Sequence, residues 1–246
     1  MAERSLQRRF CLIRVRSYQI IPKNPEFLGE QGARRITYRS NAVIVKIIFF
    51  MPKLYIISGC NGAGKTTASY SLLPEMLNCS EFVNSDEFAK NLSPFDPSLA
   101  SIQASRYMLM KTKYLLERKR DFAIETTLAT RTLLKLIKAA QEIGYTVTLL
   151  YFWLNSPELA IERVKARVKT GGHDIPEDTI IRRYHVGVEY FFNIYAPICE
   201  RWILADNSQI PFRVIAEGSK DEVVNIKDNE TYEKIRSILP GDVQCD

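Results

Sequence analysis

The sequence predicts an α/β fold in which a mainly parallel central sheet is flanked by helices. From residue 51 onward, short apolar runs alternate with segments of helical periodicity, which is typical of a parallel sheet with right-handed crossovers. The run Thr146–Leu154 is uncharged and apolar throughout, as expected of a strand covered on both faces. The first run ends in a glycine-rich turn that leads into a helical pattern.

Length and composition indicate a globular protein. Of its 246 residues, 46% are hydrophobic and 25% are charged, which excludes a fully disordered or a fibrous chain. The uncharged apolar runs are too short to cross a bilayer, so no membrane partner is predicted. The five cysteines are widely scattered and form neither a disulfide framework nor a CxxC pair. We therefore expect a reducing, cytoplasmic location.

The net charge of +6 is concentrated at one end of the chain. Residues 1–50 contain 10 Lys and Arg against 3 Asp and Glu, a balance of +7, so residues 51–246 carry −1. A nearly neutral body does not favour a nucleic-acid interface, and none is predicted there.

We divide the chain into a basic extension, residues 1–50, and one domain, residues 51–246. The extension is rich in arginine and shows no sustained periodicity, so we expect it to be poorly ordered. A basic arm for nucleic acid or membrane and a transit-like leader are two interpretations. A third is that Met51 is the true start and the reading frame has been over-extended.

The elements of the domain follow from periodicity and capping signals. A helix from a Ser98 cap to about Lys119 is predicted, and another from a Thr130 cap to a stop at Gly144. Ser156-Pro157 is a helix start with proline in the first turn. Strands are predicted at Leu54–Ser58, Phe82–Asn84, Phe122–Ile124, Thr146–Leu154, Arg201–Asp206 and Phe212–Glu217.

The glycine-rich turn fits the phosphate-binding pattern GxxxxGK[ST] at every fixed position. In such a loop, glycines let backbone N–H groups point at phosphate oxygens, and the next helix adds its positive dipole end. Lys65 would reach the β- and γ-phosphates, and the Thr66 hydroxyl would bind Mg²⁺. A plain glycine turn is the alternative, but it does not require Lys-Thr after its last glycine. The predicted nucleotide-binding residues are Gly59, Cys60, Asn61, Gly62, Ala63, Gly64, Lys65, Thr66 and Thr67.

Other motifs narrow the class of nucleotide-using protein. The chain has no Asn-Lys-x-Asp guanine-reading motif and no Leu-Ser-Gly-Gly signature, which disfavours a GTPase and a transport ATPase. A small-molecule kinase of the P-loop NTPase fold needs a base for an acceptor hydroxyl, an acceptor pocket and mobile arginines.

Two carboxylates follow predicted strands at the sheet edge that carries the phosphate loop. Asp86 is the candidate base and a candidate Mg²⁺ ligand, although it could equally cap the helix that follows. Glu125 follows the next strand and heads the segment Glu125-Thr126-Thr127. This segment could bind acceptor hydroxyls, or Glu125 could be the acid that follows a Walker B strand. A solvated strand end is the bland alternative.

Arginines in two successive helical patterns suggest a lid over the transferring phosphoryl group. Arg163 and Arg167 are four residues apart on one helix face, and neither has an acidic residue at i±3 or i±4. An anion such as a triphosphate could offset their repulsion, though two solvated arginines would cost little. Arg183 also lacks such an acid, whereas Arg182 has Asp178 one turn before it.

A glycine pair lies between these two helices. Gly171-Gly172 forms a predicted hinge, and His173 beside it could contact substrate or be merely exposed. Helices that carry arginines and are joined by a hinge are what a closing lid requires.

Several blocks together resemble the zeta toxin family of bacterial kinases over residues 55–217. They are Ile57 to Thr67, Asn84-Ser85-Asp86-Glu87-Phe88, Ile124-Glu125-Thr126-Thr127, Gly171-Gly172-His173-Asp174-Ile175-Pro176 and Ile180-Ile181-Arg182-Arg183-Tyr184. The resemblance implies a P-loop kinase core that uses Mg²⁺ and ATP or GTP. It assigns Asp86 as the general base, Lys65 and Thr66 to the nucleotide, and Glu125 and Thr126 to substrate.

Characterised members of that family phosphorylate UDP-N-acetylglucosamine on a sugar hydroxyl and are blocked by a small antitoxin protein. We therefore expect a kinase of a UDP-amino sugar, with Asp86, Lys65, Arg163, Arg167 and Arg183 catalytic, and Glu125, Thr126, Thr127, His173 and Arg182 on the substrate. An antitoxin partner is possible by the same resemblance. A kinase of another acceptor, or a nucleotide-binding switch protein without an acceptor, remains open. Residues 1–50 and the tail after Gly218 lie outside the resemblance.

Overall fold

The computed structural model describes residues 33–39, 44–93, 100–172, 174–220 and 222–239. The chain divides into two compact units, Met1–Met51 and Pro52–Asp246. In the first unit, strands β1 (Ala33–Arg39) and β2 (Ile44–Phe50) form an antiparallel hairpin in which Ala33 pairs with Phe50. These two strands were not predicted from the sequence.

The second unit is built on a seven-stranded sheet in the order β4-β5-β3-β6-β7-β8-β9. Its strands are β3 (Lys53–Ser58), β4 (Phe82–Val83), β5 (Phe122–Thr126), β6 (Thr146–Trp153), β7 (Arg201–Asp206), β8 (Arg213–Gly218) and β9 (Val223–Ile226). The α-helices are α1 (Lys65–Ser71), α2 (Ser85–Leu92), α3 (Ser101–Glu117), α4 (Leu133–Glu142), α5 (Pro157–Lys169), α6 (Glu177–Tyr190) and α7 (Asn229–Arg236).

The parallel part of the sheet confirms the predicted fold class. Strands β4, β5, β3, β6 and β7 pair in parallel with their neighbours. Strands β8 and β9 are antiparallel additions at one edge, and β9 and α7 were not predicted. β9 escaped prediction because it has only four residues, and its apolar side chains Val223, Val224 and Ile226 are exposed rather than part of a buried run.

The core lies on both faces of the central strands. In β3, Leu54, Ile56 and Ile57 are fully buried, as are Val147 and Leu149 in β6. A strand buried on both faces needs apolar residues at consecutive positions, which explains the two runs seen in the sequence.

Helix boundaries confirm some capping signals and correct others. The Ser156 hydroxyl accepts a hydrogen bond from the Leu159 amide and caps α5, as predicted. Thr130 does not cap α4: the N-cap is Thr132, and the two hydroxyls lie 2.9 Å apart. Helix α3 begins at Ser101, and the predicted Ser98 cap lies outside the described residues.

Helix α4 ends near Gly144, which has a φ of 92°. This left-handed conformation confirms the predicted stop. Within the described residues, no helix is long and apolar enough to cross a membrane.

Candidate active site

The phosphate loop joins the end of β3 to the start of α1, at the carboxyl edge of the parallel strands. Gly59, Gly62 and Gly64 have φ values of 141°, 81° and 75°. A Cβ at Gly59 would lie 2.3 Å from the Phe152 carbonyl oxygen, and one at Gly62 would lie 2.5 Å from that of Ala160. Backbone conformation and close packing therefore both require glycine at these two positions.

Lys65 and Glu125 lie buried together beneath this loop. The Lys65 side chain is 7% exposed and that of Glu125 is 11% exposed, and their charged atoms Nζ and Oε1 are 3.7 Å apart. Lys65 Nζ also donates to the Cys60 carbonyl at 3.0 Å. The Thr66 hydroxyl donates to Glu125 Oε2 at 2.8 Å. One carboxylate thus contacts both of the residues that the loop motif reserves for phosphate and metal.

Burial raises the pKa of the Glu125 carboxyl above its ordinary value of 4.5. The Lys65 charge and the Thr66 hydrogen bond oppose this shift, whereas the nearby Asp86 and Glu87 carboxylates add to it. The environment of Glu125 is typical of a functional carboxylate, since a solvated strand end would lack both burial and a buried cation.

Asp86 lies in the first turn of α2, next to this cluster. The cap of α2 is Asn84, whose Oδ1 accepts hydrogen bonds from the amides of Asp86 at 2.9 Å and Glu87 at 3.2 Å. The alternative in which Asp86 caps the helix is therefore wrong, and its exposed carboxylate is available for other contacts. The Nδ2 of Asn84 donates to Glu125 Oε2 at 2.7 Å, so the Asn84 side chain links the backbone of Asp86 to the Lys65–Glu125 pair.

Arg183 reaches the phosphate loop from α6. Its Nη1 donates to Asn61 Oδ1 at 2.8 Å. Burial and the neighbouring Arg182 charge lower the pKa of Arg183, and the Asp86 carboxylate opposes this effect. A half-buried guanidinium beside the loop and close to Asp86 is placed where a phosphate contact is expected of it.

Gly187 lets α6 approach the site. A Cβ at this position would lie 2.8 Å from the Tyr151 hydroxyl and 3.1 Å from the Thr127 carbonyl oxygen. Because Gly187 follows Arg183 by one turn, this close approach sets how near the Arg183 guanidinium comes to the loop.

Arg163 has a different position from the one expected. Its Nη1 donates to the Asn207 carbonyl and its Nη2 to the Ser208 carbonyl, each at 2.8 Å. These oxygens belong to the loop after β7, where the buried Asn207 donates from Nδ2 to the Ala63 carbonyl at 2.7 Å. Arg163 therefore braces a loop that supports the phosphate loop. These two carbonyls are the partners that the structure gives Arg163, which has no acid at i±3 or i±4.

The remaining described lid arginines are exposed. Arg167 is exposed on α5, and Arg182 is exposed on α6. Among the described residues, Arg182 forms no ion pair with Asp178, whose carboxylate instead accepts from the Thr179 amide at 2.7 Å. His173 lies outside the described residues.

The two threonines after Glu125 have unequal roles. The Thr126 hydroxyl accepts from the Leu128 amide at 3.1 Å and so stabilises the turn. Leu128 is buried at a φ of 60°, a strained conformation for a leucine. Thr127 is half-buried beside this turn.

The donor set fits Mg²⁺. Thr66 supplies a hydroxyl, and Glu125 and Asp86 supply carboxylates, all of them hard oxygen ligands. Among the described residues, no cluster of three or more His, Cys, Asp and Glu could hold a metal alone. Mg²⁺ needs no such cage, because it binds through one or two carboxylates together with water and substrate phosphates.

Asn84 and Asn207 are the site residues that the sequence analysis missed. Asn84 stands at the head of the segment quoted with Asp86 and has the helix-capping signal of asparagine before an acidic first turn. Asn207 has no comparable signal, because its partner Ala63 is distant in the sequence.

The chain is similar in sequence to a known protein family and to a bacterial protein. The family model described as Zeta toxin matches residues 49–194. A protein of Haemophilus influenzae described as uncharacterized is 33% identical over 139 residues, which are 56% of this chain and 97% of that protein.

Two solved structures share the fold. The crystal structure described as AvrRxo1-ORF1:-ORF2 with ATP has a TM-score of 0.63 at 18% identity; the match covers 80% of this chain and 66% of that one, slightly less than two thirds of its length. A structure of the PezAT chromosomal toxin–antitoxin system of Streptococcus pneumoniae has a TM-score of 0.52 at 16% identity, and the match covers 76% of this chain and 84% of that one.

Proposed function

Because the chain belongs to the zeta toxin family, whose fold is that of P-loop kinases, we propose that it is a Mg²⁺-dependent phosphotransferase. In this proposal it moves the γ-phosphoryl group of ATP or GTP to a hydroxyl group of a small acceptor. UDP-N-acetylglucosamine is the acceptor that we propose, from the resemblance of the site segments to that family.

One observation carries the proposal: Glu125 contacts both Lys65 and Thr66 in a buried setting, and Asn84 links this acid to the backbone amide of Asp86. Nζ of Lys65 lies 3.7 Å from Glu125 Oε1, and the Thr66 hydroxyl lies 2.8 Å from Oε2. Burying an ammonium and a carboxylate costs several kcal/mol per ion before pairing offsets it. A fold retains such a pair at a ligand-binding edge more readily when the charges serve binding or catalysis.

Each residue has a role in the proposed transfer. The loop amides and Lys65 hold the β- and γ-phosphates. Asp86 accepts the proton as the acceptor oxygen bonds to the γ-phosphorus. The bond from that phosphorus to the β–γ bridging oxygen breaks, and ADP or GDP leaves. Arg183 stabilises charge on the transferring group from its place beside Asn61.

Mg²⁺ would be held by Thr66 and by the carboxylates of Asp86 and Glu125. When bound, it would neutralise charge on the phosphate oxygens. The contact of Glu125 with Thr66 favours the metal-side alternative for this acid over contact with the acceptor. Arg163 acts by bracing the loop at Asn207, and Arg167, Arg182, Thr127 and His173 remain proposed contacts of the lid or the acceptor.

Product analysis tests the proposal. The purified protein is incubated with Mg-ATP and UDP-N-acetylglucosamine, and the products are weighed by mass spectrometry. A sugar nucleotide heavier by one phosphoryl group supports the proposed acceptor. Transfer to a different small molecule in a mixture of nucleosides and sugars would contradict the acceptor alone. ADP and free phosphate without any phosphorylated acceptor would contradict the kinase and favour a switch protein.

Matched variants guard this experiment against a contaminating kinase. Lys65→Ala should bind nucleotide poorly and transfer nothing, because the phosphates lose their cation. Glu142→Gln, at an exposed position at the end of α4, should behave as wild type.

An antitoxin partner is a further part of the proposal. It is supported by family membership and by the fold shared with a protein of the PezAT toxin–antitoxin system. Induced expression of the wild-type chain in bacteria should then stop growth, and expression of Lys65→Ala should not. Equal growth of both strains at equal protein levels would contradict a toxic activity.

A further inference from the structure

Asn84 links two strand ends of the candidate site. Strand β4 pairs in parallel with β5, and Phe82 and Val83 are in register with Ala123 and Ile124. One residue further along each strand come Asn84 and Glu125, so the sheet register itself places them side by side. The contact that results is short, at 2.7 Å from Asn84 Nδ2 to Glu125 Oε2.

The other end of the same amide holds helix α2. Asn84 Oδ1 accepts from the Asp86 amide at 2.9 Å and from the Glu87 amide at 3.2 Å. The position of the first turn of α2, which carries Asp86, therefore depends on the same side chain that contacts Glu125.

The chemistry of an amide explains why asparagine suits this position. Helix capping alone is also satisfied by serine or aspartate. Serine is too short to cap α2 and reach Glu125 at once. Aspartate would place a second carboxylate oxygen against Glu125 Oε2 in a half-buried setting, where like charges repel. Only asparagine combines an acceptor for the helix with a donor for the acid at this length.

Glu125 needs this donor to keep its orientation. Its Oε2 is shared by the Thr66 hydroxyl at 2.8 Å and Asn84 Nδ2 at 2.7 Å, while Oε1 lies 3.7 Å from Lys65 Nζ. Without the Asn84 donor, Oε2 keeps one hydrogen bond and Oε1 keeps an ion pair at 3.7 Å, so the carboxylate is held less firmly.

We infer that Asn84 is a positioning residue for phosphoryl transfer, which holds the Glu125 carboxylate at Thr66 and the Asp86 base in one fixed relation. The inference rests on the proposed function. It gives a role beyond helix capping to a residue whose side chain contacts the Glu125 carboxylate and the Asp86 backbone amide.

The test separates capping from positioning. Asn84→Ser keeps a helix cap and removes the donor, Asn84→Ala removes both, and Asp228→Ala removes the unrelated cap of α7. For each variant, three quantities are measured: the melting temperature, the kcat and KM for ATP at saturating Mg²⁺, and the affinity of the ADP complex for Mg²⁺ by calorimetry.

Asn84→Ser should melt close to wild type, with kcat and Mg²⁺ affinity each lowered about tenfold and KM for ATP nearly unchanged, as for a lost outer-shell contact. Asn84→Ala should show the same losses with a lower melting temperature. Asp228→Ala should lower only the melting temperature.

Three results would overturn the inference. Asn84→Ser with wild-type kcat and Mg²⁺ affinity would reduce Asn84 to a helix cap. A loss of ADP binding in that variant would place its role in the phosphate loop instead. Equal losses in Asp228→Ala would reduce the effect to general destabilisation. Mg²⁺ affinity is measured without an acceptor, so it tests Asn84 even if UDP-N-acetylglucosamine is not phosphorylated by the wild type.

Discussion

Charged side chains of the site owe their properties to burial. Lys65 and Glu125 are each close to nine-tenths buried, and each is satisfied by more than one partner. An unpaired charge buried to this extent would cost several kcal/mol of stability, so these partners are needed to keep Lys65 and Glu125 charged. Burial also raises the pKa of Cys60, a neighbour in the phosphate loop. The phosphate-binding pattern allows any residue at this position.

The reactivity of the buried cysteines tests their burial. Burial raises the pKa of Cys60 and Cys79 to about 11 and that of Cys199 to about 12. The thiolate is the reactive form, and below its pKa its fraction falls tenfold per pH unit. At pH 8 the native protein should therefore resist iodoacetamide at these three positions, and labelling should increase as the pH rises toward 11.

Peptide mapping by mass spectrometry separates these cysteines from Cys11 and Cys245. Protein unfolded in guanidinium chloride is the positive control and should be labelled at every cysteine. Labelling of Cys60 in native protein at pH 8, as fast as in the unfolded control, would contradict its buried position.

The hydrogen-bond partners of Arg163 were predicted wrongly from the sequence. The missing acids at i±3 and i±4 led to the prediction of an anionic partner, whereas the structure shows two backbone carbonyls as the partners of Arg163. The identity of those partners could not be predicted, because the Asn207 and Ser208 carbonyls are more than forty residues away along the chain. Asp86 and Glu125 were easier to find, because strand ends in a parallel sheet share one edge.

Replacement of Arg163 should act on stability as well as activity. Arg163→Ala removes two hydrogen bonds from a charged donor and should lower the free energy of unfolding by about 1–3 kcal/mol. Arg163→Lys should recover only part of this, because an ammonium cannot match both carbonyls as the planar guanidinium does. Urea denaturation measures the difference. Glu162→Gln, at an exposed position of the same helix, is the control and should leave the free energy of unfolding nearly unchanged. Equal stability of Arg163→Ala and wild type would contradict the bracing role.

At the scale of elements, the approach of α6 to the sheet decides how the lid arginine meets the phosphate loop. Gly187 packs against the Tyr151 hydroxyl and the Thr127 carbonyl, with no room for a methyl group. Gly144, at the end of α4, has open space around its Cβ position but a φ of 92°. The two glycines therefore separate close packing from backbone conformation.

Gly187→Ala should displace α6 and draw Arg183 away from Asn61. We expect about a tenfold or larger loss of transfer rate, because an arginine clamp depends on sub-ångström placement, with ATP binding much less affected. Steady-state kinetics and calorimetry measure the two quantities. Gly144→Ala should lower stability by about 1 kcal/mol through strain and leave the kinetics unchanged. Unaltered transfer in Gly187→Ala would contradict the close approach.

Periodicity in the sequence predicted the buried strands better than the exposed edge strand. Buried strands such as β3 and β6 were predicted correctly, because consecutive apolar residues are required there. The antiparallel edge was incompletely predicted, because β9 has only four residues, all of them exposed, and so short a run gives no clear period. The α4 cap was misplaced by two residues because threonines occur at both Thr130 and Thr132, and the sequence cannot choose between them.

At the scale of the whole molecule, stability is concentrated in the centre of the sheet. Ile56 in β3 is fully buried between two parallel neighbours, whereas Val224 in the edge strand β9 is 64% exposed. Ile56→Ala should lower the free energy of unfolding by about 2–5 kcal/mol through lost burial and a cavity. Val224→Ala should change it by about 0.5 kcal/mol or less. Urea denaturation compares the two, and a similar effect of both changes would contradict the placement of the core.

The proposed phosphoryl transfer depends on Asp86 as its general base. The variant Asp86→Asn tests this role most directly. The variant keeps the shape of the side chain and loses its ability to take a proton. We predict ATP affinity within about threefold of wild type and a transfer rate lowered about 100-fold or more, in the range of a lost general base. Full transfer by Asp86→Asn, or a loss of ATP binding as complete as in Lys65→Ala, would contradict the account.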